Sequence, residues 1–380
     1  MRRQEIAHWI SITAIALPMV GALPARAAEA KAPTVTLEVH EGTLADAVHR
    51  ALVGAASPDF GGALVLEQGG KTLLKAGYGY ADRERRVAFR ADTIAQIGSI
   101  SKSFTAAAIA DLEGRGKVDP RAPVSTYLKE LAGKAAGAVT VHQLLTHTGG
   151  YPEYCGDDFE LSSAARMLRD CLAPLDAKPG KYEYSNAGYS ALALVVERAS
   201  GVPLEVYLKE RITGPLGMRD TGYLFADAPA ARHASGYLSG KNQGVISDRI
   251  AGLHGDYWNL KGNGGIQSTA TDMITWGRAL FANPPALPGM AARLSDRKNW
   301  APAGEPNVYY GYGFNIVLRA DGSVQRLSHG GSDGVFYSLL RWYPENGILI
   351  YFVGNSGEDD AKKAMLAAIG AVKTAAPIRD

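Results

Sequence analysis

The chain has 380 residues and very few cysteines: Cys155 and Cys171 are the whole complement. Neither has a partner at Cys-x-x-Cys spacing or a helix-start context, which argues against a catalytic thiol. Long apolar runs are equally scarce. After residue 23 no stretch is a membrane-span candidate. Net charge is almost absent, with 40 basic and 38 acidic residues. Nucleic-acid and anionic-membrane partners need a basic surface that displaces counterions, so both are excluded as expectations. No His and carboxylate cluster has metal-ligand spacing, and no glycine-rich stretch completes a nucleotide fingerprint, so neither metal nor cofactor is expected. Linkers and internal repeats are missing too.

The start of the chain does carry one apolar run. Arg2 and Arg3 precede residues 9–23, and Ala25-Arg26-Ala27 is a small-x-small cleavage site, so residues 1–27 read as a secretory signal. Cleavage would remove Arg2, Arg3, Arg26 and Glu5, leaving 37 basic and 37 acidic residues. The expected location is periplasmic or secreted, with no membrane span after signal removal. Export would put Cys155 and Cys171 in an oxidising compartment, where a disulfide would be worth up to about 3 kcal/mol; two free buried thiols are the alternative.

Residues 28–380 read as one catalytic domain of the α+β class. Helical periodicity covers residues 43–53, and a hairpin with a Gly69-Gly70 turn covers 62–78. Strand-like runs at 312–318, 323–328, 335–343 and 347–353 precede a closing helix at 359–374. Two early and four late strands predict an antiparallel sheet built from both chain ends and flanked by helices. That α/β part spans about 28–98 and 300–380. The inserted part, about 99–299, is mostly helical, with helices expected at 141–146, 164–172, 187–200, 204–211 and 269–281, the last with a Thr269-x-x-Asp272 capping box.

Ser99-Ile100-Ser101-Lys102 lies where the two parts meet. An extended segment precedes it, an Ala-rich helix follows, and Gly98 permits a tight entry. Ser99 at a helix N-terminus meets unpaired N–H groups, and Lys102 on the same face can take its proton. Ser295-Asp296-Arg297-Lys298 has the same spacing without that context. Two more clusters could complete acyl-transfer chemistry: Tyr184-Ser185-Asn186 after the Pro179-Gly180 turn, and His329-Gly330-Gly331-Ser332 in a glycine-rich turn between apolar strands. Tyr257-Trp258-Asn259 and His147-Thr148-Gly149 are decoys by context, and His142 and His147 read as packing or hydrogen-bonding residues. Tyr151, Glu153 and Tyr154 are candidates to line the substrate pocket.

In this order, Ser-x-x-Lys, Tyr-x-Asn and His-x-Gly resemble the serine β-lactamase and penicillin-binding-protein superfamily. The similarity is to its branch of class C β-lactamases, family VIII esterases and D-alanyl-D-alanine carboxypeptidase-like hydrolases, and it extends through Leu144–Gly150, Gly214–Met218 and Gly264–Thr269. The resemblance implies that Ser99 is acylated, that Lys102 and Tyr184 share protons, and that Asn186 orients Lys102. It also implies an oxyanion hole from the backbone N–H groups of Ser99 and Ser332, the latter beyond Gly331 on an edge strand. His329 departs from the lysine that most β-lactamases of the superfamily carry there. A neutral imidazole would weaken carboxylate anchoring by about 1–3 kcal/mol. The expected substrates are therefore small esters, amides or D-amino-acid peptides. The alternatives are a weak class C-type β-lactamase and, in another class, a non-catalytic protein binding a cell-envelope ligand.

Overall fold

The computed structural model describes residues 34–223, 232–245, 256–282, 287–376 and 378. The signal segment lies outside them. Residues 32–380 form one compact unit.

Nine antiparallel strands make its sheet: β1 (Val35–His40), β2 (Gly62–Gln68), β3 (Lys71–Tyr78), β4 (Ala301–Pro302), β5 (Val308–Gly311), β6 (Phe314–Leu318), β7 (Val324–Ser332), β8 (Tyr337–Tyr343) and β9 (Ile348–Gly354). Their order is β1-β3-β2-β9-β8-β7-β6-β5-β4. The β2–β9 pairing, from Gly62 with Gly354 to Gln68 with Ile348, joins the two chain ends. Three strands come early and six late, rather than two and four. The three additions are β1, β4 and β5. The first is a half-exposed edge strand, and the other two are short and contain Pro302 and Gly311, so each carries a weak period-2 signal.

Period 2 along β9 assigns its side chains to two cores. Ile348, Ile350 and Phe352 join helices α1 (Gly42–Ala55) and α5 (Glu358–Ala375) on one face. Leu349, Tyr351 and Val353 join the large core on the other face. That core holds α2 (Ser101–Gly114), α3 (Asn186–Ser200) and α4 (Ala270–Gly277). All seven residues of β9 are buried, as a strand covered on both faces requires.

Helix α2 is fixed by aromatic packing and by hydrogen bonds. Phe104 stacks on Trp276 of α4 at 4.1 Å between ring centroids, and the Trp276 Nε1–H donates to Ser103 Oγ at 2.9 Å. Such a pair adds about 0.5–1.5 kcal/mol beyond its buried area. The stack and the hydrogen bond together hold the start of α2.

The inserted part is helical but more interrupted than its periodicity predicts. Helices Ala164–Arg166, Leu204–Leu208 and α4 each pass into a π turn, at Met167–Cys171, Lys209–Thr213 and Arg278–Ala282. A hairpin, Gly236–Leu238 with Lys241–Gly244, also interrupts it. Thr269 caps α4 by accepting from the Asp272 N–H. The reciprocal half of that box is absent, because Asp272 Oδ2 accepts from the Asp220 N–H and the Thr221 hydroxyl. The full capping box belongs to Thr140 and Gln143, at the helix Val141–Leu145.

Candidate active site

Ser99 sits in a single 3-10 turn, Gly98–Ile100, that leads into α2. Gly98 has φ +52°, and a Cβ there would lie 2.6 Å from Ser332 N. Only glycine lets this turn approach the end of β7 so closely. The stretch His329-Gly330-Gly331-Ser332 is therefore part of strand β7, not a turn; the turn follows at Asp333. Gly331 serves the same approach, since a Cβ on it would fall 2.0 Å from Ile97 O.

Strand β7 is interior rather than an edge strand, flanked by β6 and β8. Its pairing with β6 ends at Asn315 and Ser328, so its last four residues overhang and expose one edge. The Asp333 N–H reaches Phe336 O at 3.4 Å. Antiparallel alternation then turns the Gly330 and Ser332 N–H groups away from β8, toward the Ser99 turn. Backbone donors from Ser99 and Ser332 can thus converge on one oxygen.

Lys102, the second residue of α2 and one turn beyond Ser99, is fully buried. Its Nζ lies 3.1 Å from Ser99 Oγ, 2.6 Å from Asn186 Oδ1 and 2.8 Å from Asn263 O. Burial drives its pKa well below that of a free amine, against smaller raising effects of Asp158 and Glu153. A neutral amine has two hydrogens and one lone pair. Asn186 Oδ1 and Asn263 O are pure acceptors and take both hydrogens, which leaves the lone pair for the Ser99 hydroxyl. The arrangement can accept the Ser99 proton.

The Tyr184–Asn186 segment is clamped from several sides. The Ser185 N–H donates to His147 Nδ1 at 3.0 Å, Ser185 Oγ donates to Pro152 O at 2.6 Å, and the Asn186 N–H donates to Glu153 O at 2.9 Å. Ser185 also caps α3 by accepting from the Gly188 N–H. Tyr184 packs on His147 at 4.3 Å between ring centroids and lines the same cavity as Ser99. Burial raises its pKa, so the phenol keeps its proton. The Asn263 carbonyl is aimed by its own side chain, whose Nδ2 donates to Ser190 Oγ and Asn259 O. Sequence reasoning missed Asn263 because a backbone carbonyl leaves no residue signature.

Two expected site residues lie elsewhere. His329 is 4% exposed and does not line the cavity. Its Nδ1–H donates to Gly330 O at 2.6 Å, and Nε2 accepts from the Tyr310 hydroxyl at 3.0 Å. Burial is the main cause that lowers its pKa to about 3. It is a neutral, enclosed support for the site wall rather than a group presented to substrate. Tyr151 is 2% exposed, and its hydroxyl donates to Ala136 O at 2.9 Å, so it belongs to the core. Tyr154 lines the cavity in its place, and Glu153 is exposed. The loop carrying Tyr154 is tied by the Cys155–Cys171 disulfide, with Cα atoms 5.5 Å apart.

The cavity in front of Ser99 has a volume of about 390 Å³. Ser99, Tyr184, Asn186, Asn263 and Ser332 line it, together with Gln96, Asp158, Asp333 and Glu358, which no sequence motif marked.

An antiparallel sheet with helices on both faces, and a buried lysine on a serine at the start of a helix, define the serine acyl-transfer hydrolases. Comparison with known proteins agrees. The chain belongs to the β-lactamase family: the family model described as Beta-lactamase matches residues 53–372. It is 32% identical to esterase EstB of Burkholderia gladioli over 70% of this chain and 75% of that one. It is 30% identical to a D-aminopeptidase of Brucella anthropi over 72% of this chain, but over 51% of that longer protein. Among solved structures, a penicillin-binding protein from Bacillus halodurans superposes with TM-score 0.70 at 27% identity, covering 85% of this chain and 99% of its own. The protein is a serine hydrolase of this family.

Proposed function

We propose that the protein hydrolyses esters or small amides, D-amino-acid peptides included, through an acyl-enzyme on Ser99. The observation that carries this reading is the fully buried Lys102 amine, its pKa lowered by burial, placed between two pure acceptors, Asn186 Oδ1 and Asn263 O, and 3.1 Å from Ser99 Oγ. Lys102 takes the hydroxyl proton as Oγ bonds to the carbonyl carbon. The N–H groups of Ser99 and Ser332 hold the resulting oxyanion. Tyr184, kept protonated by burial and facing the same cavity as Ser99, passes a proton to the leaving group and is restored from Lys102. Water then enters by the reverse relay and releases the acid. Asn186 orients Lys102.

β-Lactam turnover is the weaker reading. A drug carboxylate needs a cation, and His329 offers a neutral ring with both nitrogens occupied. We further propose that residues 1–27 are a signal and that the protein is periplasmic or secreted, a setting that the Cys155–Cys171 disulfide favours.

The test is p-nitrophenyl ester turnover beside penicillin hydrolysis, each repeated on Ser99→Ala. Ester turnover that vanishes in the variant, with slow or no penicillin release, supports the reading. Ester turnover that persists in Ser99→Ala refutes it, and fast penicillin release transfers the assignment to β-lactamase.

A further inference from the structure

Three contacts of a single residue, His147, fix Tyr184. The backbone N–H groups on either side of Tyr184 both donate to it: that of Glu183 to the His147 main-chain oxygen at 2.8 Å, and that of Ser185 to the ring Nδ1 at 3.0 Å. The imidazole also packs on the phenol, with ring centroids 4.3 Å apart. His147 is 1% exposed and does not line the cavity, so any effect it has on the reaction passes through Tyr184 and its neighbours.

The bond from Ser185 fixes the state of the ring. Nδ1 accepts, so a neutral His147 carries its hydrogen on Nε2, and burial lowers its pKa, which favours that neutral form. Nε2 is buried and has no hydrogen-bond partner among the described residues. A phenylalanine would fill the same aromatic space, beside Tyr182, Tyr189 and Tyr310 at 5.9, 5.1 and 4.4 Å, without burying an unpaired N–H on its ring. What histidine adds there is the Nδ1 acceptor. The backbone is strained at the same residue: His147 has φ +56°, a left-handed conformation uncommon for residues with a β-carbon, and such outliers gather where geometry serves function.

Proton transfer demands such a fixture. A phenol passes its proton only from within hydrogen-bond reach, and a misplacement of about 1 Å can cost about a hundredfold in rate. Lys102 Nζ lies 4.9 Å from the Tyr184 ring centroid, so the same fixture also sets the phenol against the amine. We propose that His147 is a positioning residue for proton transfer to the leaving group: its Nδ1 and main-chain oxygen, by holding the N–H groups of Ser185 and Glu183, set where the Tyr184 hydroxyl stands. This rests on the reading of Tyr184 as the acid of the acylation step.

The test compares kcat/KM, which reports acylation, for phenyl acetate and p-nitrophenyl acetate. Phenolate is the more basic leaving group and depends more on the donated proton. Tyr184→Phe, which lacks the hydroxyl, should lose phenyl acetate turnover at least about tenfold more than p-nitrophenyl acetate turnover. His147→Phe, which keeps an aromatic ring and removes the acceptor, should show a selective loss of the same sign and of at least about fivefold. In His147→Asn, Oδ1 can accept from the Ser185 N–H and the residue type tolerates positive φ, so the ratio of the two esters should return to within about twofold of the native protein. A general loss of active protein lowers both esters alike and cancels in the ratio, and circular dichroism verifies folding. Should His147→Phe not fold, His147→Gly removes the acceptor without backbone strain and takes its place. Selective loss in Tyr184→Phe with an unmoved ratio in the variants that lack the acceptor overturns the proposal and leaves Tyr184 as the acid. A loss in His147→Asn as selective as that in Tyr184→Phe also overturns it, since the acceptor would then not be what matters. An unmoved ratio in Tyr184→Phe itself overturns the reading of Tyr184 as the acid, and the proposal with it.

Discussion

Asn186→Asp changes one atom and should move the whole pH profile. In the native site Asn186 Oδ1 accepts from Lys102 Nζ at 2.6 Å, and the amide imposes no charge. A carboxylate there would favour the ammonium form by about 6 kcal/mol at an effective dielectric constant of about 20. That corresponds to a rise of about 4 pH units in the Lys102 pKa, an upper figure because the new carboxylate pays its own desolvation. Wherever the extra proton rests, the Lys102 lone pair is lost to Ser99: it is protonated, or it accepts from the carboxylic acid. The sign follows directly. Burial lowers the native Lys102 pKa, so the rising limb of kcat/KM lies at lower pH than a free amine would give. In the variant the limb moves to higher pH, neutral-pH activity falls by about a thousandfold, and activity returns as the pH is raised. The assay is kcat/KM for p-nitrophenyl acetate against pH, corrected for spontaneous hydrolysis. A variant whose limb stays in place, or moves toward acid, would refute Lys102 as the base.

Three other predictions concern the surroundings of the site. Gly98→Ala forces a β-carbon to within 2.6 Å of Ser332 N at a residue with φ +52°, so ester turnover should fall by at least about a hundredfold, measured on protein whose circular dichroism is unchanged. Replacing Cys155 and Cys171 by serine opens a loop of sequence separation 16, should cost about 3 kcal/mol in urea unfolding, and should raise KM more than it lowers kcat, because the loop carries Tyr154 and Asp158. His329 is held neutral, with a folded pKa of about 3 against the usual 6.5, so the unfolded chain takes up its proton first as pH falls. Stability should thus drop below about pH 6.5, by up to about 1.4 kcal/mol per pH unit for this residue, and the thermal midpoint of His329→Gln should show a shallower fall.

Motif order made much of this site legible, because each motif residue sits at a joint with a local signature. Gly98 before an Ala-rich helix and Ser185 as an N-cap announce their backbone geometry in the sequence. Asn263 O, Gln96 and Glu358 do not, since they reach the cavity through tertiary packing: one by its main chain, one from a two-residue strand, one from the first turn of α5. His329 illustrates the converse. Its residue type was plain, but its enclosure depends on Tyr310, which stands 19 positions away on β5. Likewise Tyr151 and Tyr154 are indistinguishable as loop aromatics until the Ala136 carbonyl claims the first. Sheet strands with strong alternation or long apolar runs were readable, whereas β1, β4 and β5 exist because the sheet supplies their partners.

The central claim is a covalent bond at Ser99. The direct measurement is intact-mass and peptide-mapping mass spectrometry after rapid acid quench of the protein turning over a p-nitrophenyl ester of a slowly released acyl group. The account predicts a mass gain equal to that acyl group, carried by the peptide containing Ser99 and missing in Ser99→Ala. Turnover with no acylated species in either protein, or an adduct on another residue, would contradict it.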